Sequence, residues 1–424
     1  MTEVDVRRAI EAIYRLDEPK LVARMARLLG DLSAAEELAH DAFVAAVEQW
    51  PSAGIPENPT AWLMATAKHH AFNRLQRRRL VAAKHREIAD ATVVGERPEL
   101  EEELDDDIRD DLLRLVFATC HPLLPTEARV ALTLRLVGGL SVEEIARAFV
   151  VPEVTMSQRI VRAKRTLSDA KVPFEVPRGE ERAERLASVL EVIYLVFNEG
   201  YSATAGEHWM RPALCEDGLR LARVLARVAP DESEVQGLLA LLAIQASRTR
   251  ARTRSGGEPV PLPEQDRSLW DQFLIEQGLA ALARAEALGG PPGPYQLQAA
   301  IAACHARSRN AEETDWPRIA ALYGELARVA PSPIVELNRA VAVGYASGPA
   351  AALPIVDALA RGTALEGSHL LPAVRADLLA RMERLEEAVA EFERAAALTR
   401  NAPERATLLE RAREMRRRLA RRMI

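Results

Sequence analysis

The residues of this chain with the clearest chemical role are clustered Lys and Arg side chains, which could bind phosphate groups. Residues 62–86 contain seven Lys or Arg, three His and no Asp or Glu. A basic run of this kind, opening with an aromatic residue, suits contacts with DNA phosphates and stacking on unpaired bases. A basic, solvated helix is the alternative interpretation. The lack of any compensating carboxylate favours nucleic-acid binding.

Residues 126–167 have the pattern of a helix-turn-helix. Gly138 and Gly139 end one helix, Ser141 caps the next, and a further helix follows Pro152. A short helix, a short turn and a basic helix form the arrangement that places a recognition helix in the major groove. A purely structural helical hairpin is the alternative.

The last helix of this motif is predicted to be two-sided. Its buried stripe is formed by apolar residues at spacings of four, three and four, Met156, Ile160, Ala163 and Leu167. Its candidate DNA-binding residues are Ser157, Gln158, Arg159, Arg162 and Arg165. Arg and Gln side chains can read base edges in the major groove.

An acidic helix is predicted at 34–49, with one stripe packing inward and a second carrying Glu37, Asp41 and Glu48. The second stripe is either a solvated face or a binding face for a partner. No cysteine and only His40 lies near these acids, so a metal site is not favoured.

The overall net charge of −6 does not exclude a nucleic-acid partner. Residues 96–111 hold ten acids and two arginines, a net charge of −8, so the other residues sum to −6 + 8 = +2. The positive charge is therefore segregated along the chain rather than absent.

The spacing of apolar residues predicts an all-α fold. Two capping boxes are expected, Ser33 with Glu36 and Ser141 with Glu144, and Asn58 before Pro59 predicts a further helix start. The three cysteines, about ninety residues apart, fit neither a disulfide framework nor a metal knuckle. No membrane span or signal peptide is evident, which predicts a cytoplasmic protein. No phosphate loop, nucleophile elbow or HExxH motif occurs, so we expect no enzyme activity, no catalytic residues, no metal and no cofactor.

A six-residue string occurs twice in the C-terminal half. The string LARVAP occurs at 225–230 and again at 326–331, a separation of 101 residues that suggests about three units of ~34 residues. A helix pair is expected at 374–403, with Phe392 between helices that approach at small residues, Ala376, Ala388 and Ala395. This pattern resembles tetratricopeptide repeats, and an irregular helical domain is the alternative.

The order of these elements resembles sigma factors of the extracytoplasmic-function type, which retain sigma regions two and four. The strings GDLSAAEELAHDAFVAAVEQW, NPTAWLMATAKHHAFNRLQRRR and VPEVTMSQRIVRAKRTL carry the resemblance. Strings further along, such as YLVFNEGYSA at 194–203 and EQDRSLWD at 264–271, resemble the group of these factors with a long C-terminal extension related to tetratricopeptide repeats.

The resemblance implies binding sites for core RNA polymerase and promoter DNA. The expected polymerase-binding residues are Asp31, Glu36, Glu37, His40 and Asp41. Those expected to contact the minus-ten element are Trp62, Lys68, His69, Asn73, Arg74 and Arg77. The helix with Arg162 is expected to contact the minus-thirty-five element.

Five segments are expected. They are a region two domain at 1–95, an acidic linker at 96–111, a region four helix-turn-helix domain at 112–172, a linker at 173–182 and a tetratricopeptide-like helical extension at 183–424. The acidic linker either mimics RNA or is simply solvated. The extension either binds a regulatory protein or peptide, or packs on the sigma domains. A helix-turn-helix transcriptional regulator that works without polymerase is the alternative function.

Overall fold

The protein is helical throughout the part described by a computed structural model, which covers residues 3–86, 106–149, 151–202, 210–254 and 259–422. Eighteen α-helices and three short 3₁₀ turns lie in these ranges, and no β-strand does. One isolated antiparallel bridge joins Thr253 and Pro259. The all-α prediction is confirmed.

The helices divide between two compact units, Met1–Ile193 and Tyr194–Ile424. The first seven are α1 Glu3–Leu29, α2 Leu32–Ala53, α3 Pro59–Arg86, α4 Asp106–Thr119, α5 Thr126–Leu136, α6 Val142–Ala148 and α7 Glu153–Asp169. The next six are α8 Gly179–Tyr201, α9 Pro212–Val228, α10 Ser233–Ser247, α11 Gln272–Ala287, α12 Pro294–Arg307 and α13 Trp316–Val329. The last five are α14 Pro333–Ala346, α15 Pro349–Ala360, α16 Leu370–Arg381, α17 Leu385–Leu398 and α18 Ala402–Arg422. Across the described ranges, none of these helices is both long and apolar enough to cross a membrane.

Local capping explains where several helices begin. Ser141 and Glu144 form the expected capping box at α6. The Asn58 side chain accepts a hydrogen bond from the Ala61 amide at the start of α3, as predicted. The box expected at Ser33 is wrong, because the Asp31 side chain caps α2 and accepts from the Ser33 and Ala34 amides. A carboxylate at the cap position satisfies these amides and interacts favourably with the helix dipole.

The core of the first unit begins with α1, α2 and α3, which pack on one another while α4 packs on α1. The inward stripe predicted for α2 is confirmed, since Phe43 and Trp50 are both buried. Leu63 of α3 is fully buried as well. The side chain of Leu75, further along α3, lies outside the described residues.

A buried carboxylate, Asp111, joins α4 to α1. Its side chain is fully buried and pairs with Arg24 at 3.2 Å, Arg27 at 3.4 Å and Arg114 at 2.6 Å. Asp111 belongs to the acidic segment of the sequence, and α4 already begins at Asp106. Residues 96–105 of that segment lie outside the described residues.

In the second unit, successive helices from α9 to α18 pack on one another in chain order. The two LARVAP strings end α9 and α13 in the same way, with the Ala229 and Ala330 amides donating to the carbonyls of Leu225 and Leu326. The expectation of three repeat units between them is wrong. The interval holds α10, α11, α12 and most of α13, which are four helices where three helix pairs would need six, and residues 248–254 and 259–271 form an irregular segment with three 3₁₀ turns.

The helix pair predicted near the C-terminus is confirmed as α16 and α17. The Phe392 side chain is fully buried, and Ala376, Ala388 and Ala395 have no exposed surface at the contact between the helices. Small residues let the helix backbones approach, and the aromatic ring fills the remaining space. α18 completes this core with Leu408, Ala412 and Met415.

The irregular segment of the second unit is stabilised by arginines stacked on aromatic rings. The Arg248 guanidinium lies 5.7 Å from the ring centroids of Tyr201 and Trp270, and Arg252 stacks on Tyr201 at 3.3 Å. Burial lowers the pKa of Arg248 to about 10 and that of Arg252 to about 9. Tyr201 and Trp270, which belong to the two strings YLVFNEGYSA and EQDRSLWD, therefore contribute to packing within the unit.

Replacing Asp111 with alanine should destabilise the first unit. Arg24 and Arg27 would lose a shared buried carboxylate, and breaking a buried pair costs about 3 kcal/mol. Hydrogen–deuterium exchange of the α1 amides in the full chain measures this loss. As a control, Glu143→Ala removes a pair in which both partners are exposed and should cost less than about 0.5 kcal/mol. Equal protection in the two variants would contradict the assignment.

Candidate nucleic-acid interface

The helix-turn-helix is formed by α6 and α7, with α5 packed on both. The buried stripe predicted for α7 is confirmed, since Met156, Ile160, Ala163 and Leu167 are all buried. This anchoring fixes the rotation of α7 about its axis, so its opposite side is held toward solvent.

The solvent side of α7 carries most of the predicted base-reading residues. The side chains of Ser157, Gln158, Arg162 and Arg165 are exposed, whereas Arg159 is half-buried. Arg165 lies 3.4 Å from Asp169 in an exposed pair, which is weak enough to be exchanged for a base or a phosphate. The helix therefore presents hydrogen-bond donors and acceptors in the form that the major groove accepts.

Two apolar residues on the same side were not predicted. Val154 is 68% exposed and Val161 is 62% exposed. Exposed aliphatic side chains beside Gln158 and Arg162 can contact thymine methyl groups, which only the major groove displays. The signal in the sequence is their position, since both fall opposite the buried stripe of α7.

α3 carries the residues predicted to contact the minus-ten element. Trp62 is half-buried and packs edge-on against Trp50, with ring centroids 5.4 Å apart. His69 and Asn73 are exposed and lie 3.1 Å apart, while Lys68 is half-buried. The side chain of Arg77 lies outside the described residues. Trp62 thus sits at the start of a helix whose polar side remains accessible.

An exposed aromatic on α3, Phe72, was also missed. Its side chain is 45% exposed and follows His69 by one helical turn. An exposed ring beside basic and amide side chains can stack on an unpaired base. Its position next to Asn73, away from the buried residues Leu63 and Ala67, is the signal that was available.

The residues predicted to bind polymerase have four different environments. Asp31 caps α2, as described above. Glu37 is exposed and pairs with Arg74 of α3 at 2.6 Å. A residue predicted to bind polymerase therefore forms an ion pair with a residue predicted to bind DNA. His40 and Asp41 are exposed on α2, and Asp41 has no ion pair among the described residues.

Glu36 points instead toward the helix-turn-helix. It accepts from Arg135 of α5 at 2.7 Å and pairs with Lys164 of α7. Arg135 also contacts Glu18 at 3.1 Å, and the Tyr14 hydroxyl lies 3.4 Å away. One cation thus joins α1 and α2 to α5, and a second joins α2 to the recognition helix.

The electrostatics of this cluster favour the charged form of Arg135. Burial alone would lower the pKa of its guanidinium, but the charges of Glu18 and Glu36 raise the pKa above its ordinary value. Burial raises the pKa of Tyr14 to about 12, and its hydroxyl donates to Glu18 at 2.6 Å. Burial of Glu18 raises the pKa of that carboxyl as well, with Arg135 acting in the opposite direction. No group of three or more His, Cys, Asp or Glu suited to a metal occurs within the described ranges.

Comparisons with known proteins identify the parts of this arrangement. Residues 13–81 match sigma-70 region 2, and residues 114–167 match sigma-70 region 4. An uncharacterized protein, R00370 of Rhizobium meliloti (strain 1021), is 44% identical over 389 residues, covering 92% of this chain and 91% of its own. The chain belongs to the family of R00370. The region 2 match covers most of α1, all of α2 and most of α3, and the region 4 match covers the end of α4, α5, α6 and nearly all of α7.

Other parts of this member of the R00370 family are also similar to known proteins. The RNA polymerase sigma-H factor of Pseudomonas aeruginosa is 28% identical over 177 residues, 40% of this chain and 89% of that protein. Residues 185–286 match a family of unknown function, DUF6596. Among solved structures, yeast Tom70 is similar with a TM-score of 0.38 and 12% identity, covering 98% of this chain and 86% of that one. The region 2 and region 4 matches and the sigma-H relative support a sigma factor.

The ion pair between Lys164 and Glu36 should give a measurable coupling free energy for the stability of the first unit. Both side chains are mostly buried, so a double-mutant cycle of Lys164→Ala and Glu36→Ala should give about 1–2 kcal/mol, read from the exchange protection of α2 amides. The exposed pair Arg165–Asp169 is the control and should give less than about 0.5 kcal/mol. Coupling no larger than in the control would show that α7 is not held by Glu36.

Proposed function

We propose that this chain is a sigma factor of the extracytoplasmic-function type, which binds core RNA polymerase and directs it to promoters. The observation that carries the proposal is the pairing of a region 2 match with a region 4 match whose recognition helix exposes Gln158, Arg162 and Arg165. A promoter-specificity subunit needs one surface for polymerase and basic surfaces for two DNA segments. The acidic α2 and the basic α3 and α7 are the candidates for these three surfaces.

The proposed division follows the sequence. The region two domain is 1–95, the acidic linker 96–111, the region four domain 112–172, a second linker 173–182 and the tetratricopeptide-like extension 183–424. The extension is proposed to regulate activity by binding a protein or peptide. The chain is proposed to work in the cytoplasm, without a cofactor and without catalysing a covalent step.

The polymerase-binding surface is proposed on α2. His40 and Asp41 are exposed there and can meet a basic partner directly, and Glu37 can do so by exchanging its partner Arg74. Contact of Glu36 with polymerase would cost more free energy than contact of Glu37, because the Glu36 carboxylate would have to leave both Arg135 and Lys164. Asp31 acts by fixing the start of α2.

The minus-ten surface is proposed on α3, with Trp62, Lys68, His69, Asn73, Arg74 and Arg77 toward DNA. The exposed ring of Phe72 joins this set. Strand separation needs no covalent chemistry, because stacking and capture of an extruded base offset the few kcal/mol of unstacking.

The minus-thirty-five surface is proposed on α7, where Ser157, Gln158, Arg159, Arg162 and Arg165 lie with Val161. Replacing Arg162 with alanine should lower transcription from a matched minus-thirty-five site by roughly 5- to 150-fold, since a bidentate base contact is worth about 1–3 kcal/mol. Transcription from a mismatched site should change little. The measurement is multi-round transcription with core polymerase on both templates.

The control for this variant is Arg147→Ala, which removes an exposed arginine from α6 and should leave both templates unaffected. Survival of both activity and template preference in Arg162→Ala would remove the recognition-helix assignment.

Charge reversal on α2 should weaken polymerase binding. Asp41→Lys alone, and together with Glu37→Lys, should reduce co-purification with core polymerase at least tenfold, because a basic partner surface would face a cation. Glu48→Lys makes the same charge change two turns further along α2 and is expected to have the smaller effect. Undiminished co-purification of the double variant would refute the proposed surface.

A further inference from the structure

The second unit contains a groove of about 740 Å³ on the outside of α10. α9 and α11 both pack on α10, and the groove lies between them. Its apolar surface is formed by Ala226 of α9, Leu239 of α10, Ala280 and Ala287 of α11, and Leu288 just after α11. Two flanking helices above a third leave a trough suited to one more helix.

Three arginines line this groove. Arg223 donates through Nε and Nη2 to the Gln277 Oε1, at 3.2 and 2.6 Å. Arg284 donates through Nε to the Gln236 Oε1 at 3.3 Å. Arg227 is exposed beside them.

The two glutamines position the arginines without neutralising them. Gln236 is almost fully buried, and its own amide donates to the Pro230 carbonyl at 3.0 Å, which fixes its orientation. An amide oxygen is a neutral acceptor, so the positive charge of each guanidinium remains available to an anion.

The charge balance of the groove differs from that of the C-terminal helices. Among the described residues, no carboxylate lies within ion-pair distance of Arg223, Arg227 or Arg284, and Asp231 is the single acid in the lining. By contrast, several arginines of α16 and α18 are paired with carboxylates, as Arg375 is with Asp357 and Arg411 with Asp377. The groove therefore carries a net charge of 3 − 1 = +2 above an apolar floor.

We propose that this groove binds an acidic amphipathic helix of a partner protein. The apolar side of that helix packs on Leu239 and Ala280, and its carboxylates pair with Arg223 and Arg284. Helix-in-groove recognition uses this combination of apolar anchors and flanking charges. The inference deepens the partner-binding role proposed for the extension, and it does not depend on the sigma-factor assignment.

A nucleic acid fits the same groove less well. Its lining in the described residues offers alanines, leucines and a proline, and no aromatic ring on which a base could stack. Phosphate binding would use the arginines but leave the apolar floor facing water. An acidic peptide uses both features.

The test measures peptide binding to the full chain without polymerase or DNA. The probe is a fluorescein-labelled, 18-residue synthetic helix with leucines at three- and four-residue spacing and glutamates elsewhere. We expect micromolar binding, at least tenfold weaker for the same peptide with glutamine in place of glutamate. The double variant Arg223→Ala and Arg284→Ala should also lose at least tenfold.

Two further variants separate binding from folding. Ala280→Glu adds bulk and negative charge at an exposed position in the groove and should weaken binding at least tenfold with both arginines intact. The control Arg413→Ala with Arg417→Ala removes two exposed arginines that pair with Glu410 and should leave binding unchanged. The proposal is overturned by absent binding, by equal binding of the glutamine peptide, by variants without effect, or by an oligothymidine that displaces the peptide and itself depends on Arg223.

Discussion

The first unit depends on a buried cation, Arg135, held between two carboxylates from a different part of the chain. Its side chain is 13% exposed, and Glu18 is more deeply buried still. Removing either partner from such a site leaves an uncompensated charge, which costs several kcal/mol. The contact between the region 2 and region 4 domains therefore has a defined geometry. Lys164 extends the same interaction to the recognition helix through Glu36.

This constraint sorts the charged residues of the two domains by role. Arg135 and Lys164 pair with Glu18 and Glu36 inside the unit, whereas Arg162 and Asp41 stay exposed on α7 and α2. A basic sequence run is therefore not a uniform DNA-binding surface. The residues that remain available for the proposed DNA and polymerase contacts are those whose side chains stay exposed.

The sequence predicts the local features and misses the long-range ones. The start of α3 at Asn58 and the capping box at Ser141 follow from side chains within three residues of the amides they cap. The same reasoning wrongly predicted Ser33 as the cap of α2. A capping box of Ser33 with Glu36 and a single carboxylate cap at Asp31 are both compatible with the sequence at that turn. Contacts between residues far apart, such as Arg135 with Glu18, leave no periodic signal. Exposed hydrophobic residues such as Val161 become visible only once the buried side of the helix is fixed.

The region 2 and region 4 surfaces are proposed to act together on polymerase and promoter. The most direct measurement is run-off transcription with purified core RNA polymerase, with and without the chain, on a library of linear promoter fragments. A sigma factor should give discrete transcripts that require the chain and start downstream of shared minus-thirty-five and minus-ten sequences. Footprints on DNA without polymerase, and no transcript that depends on the chain, would contradict this proposal and favour a helix-turn-helix regulator.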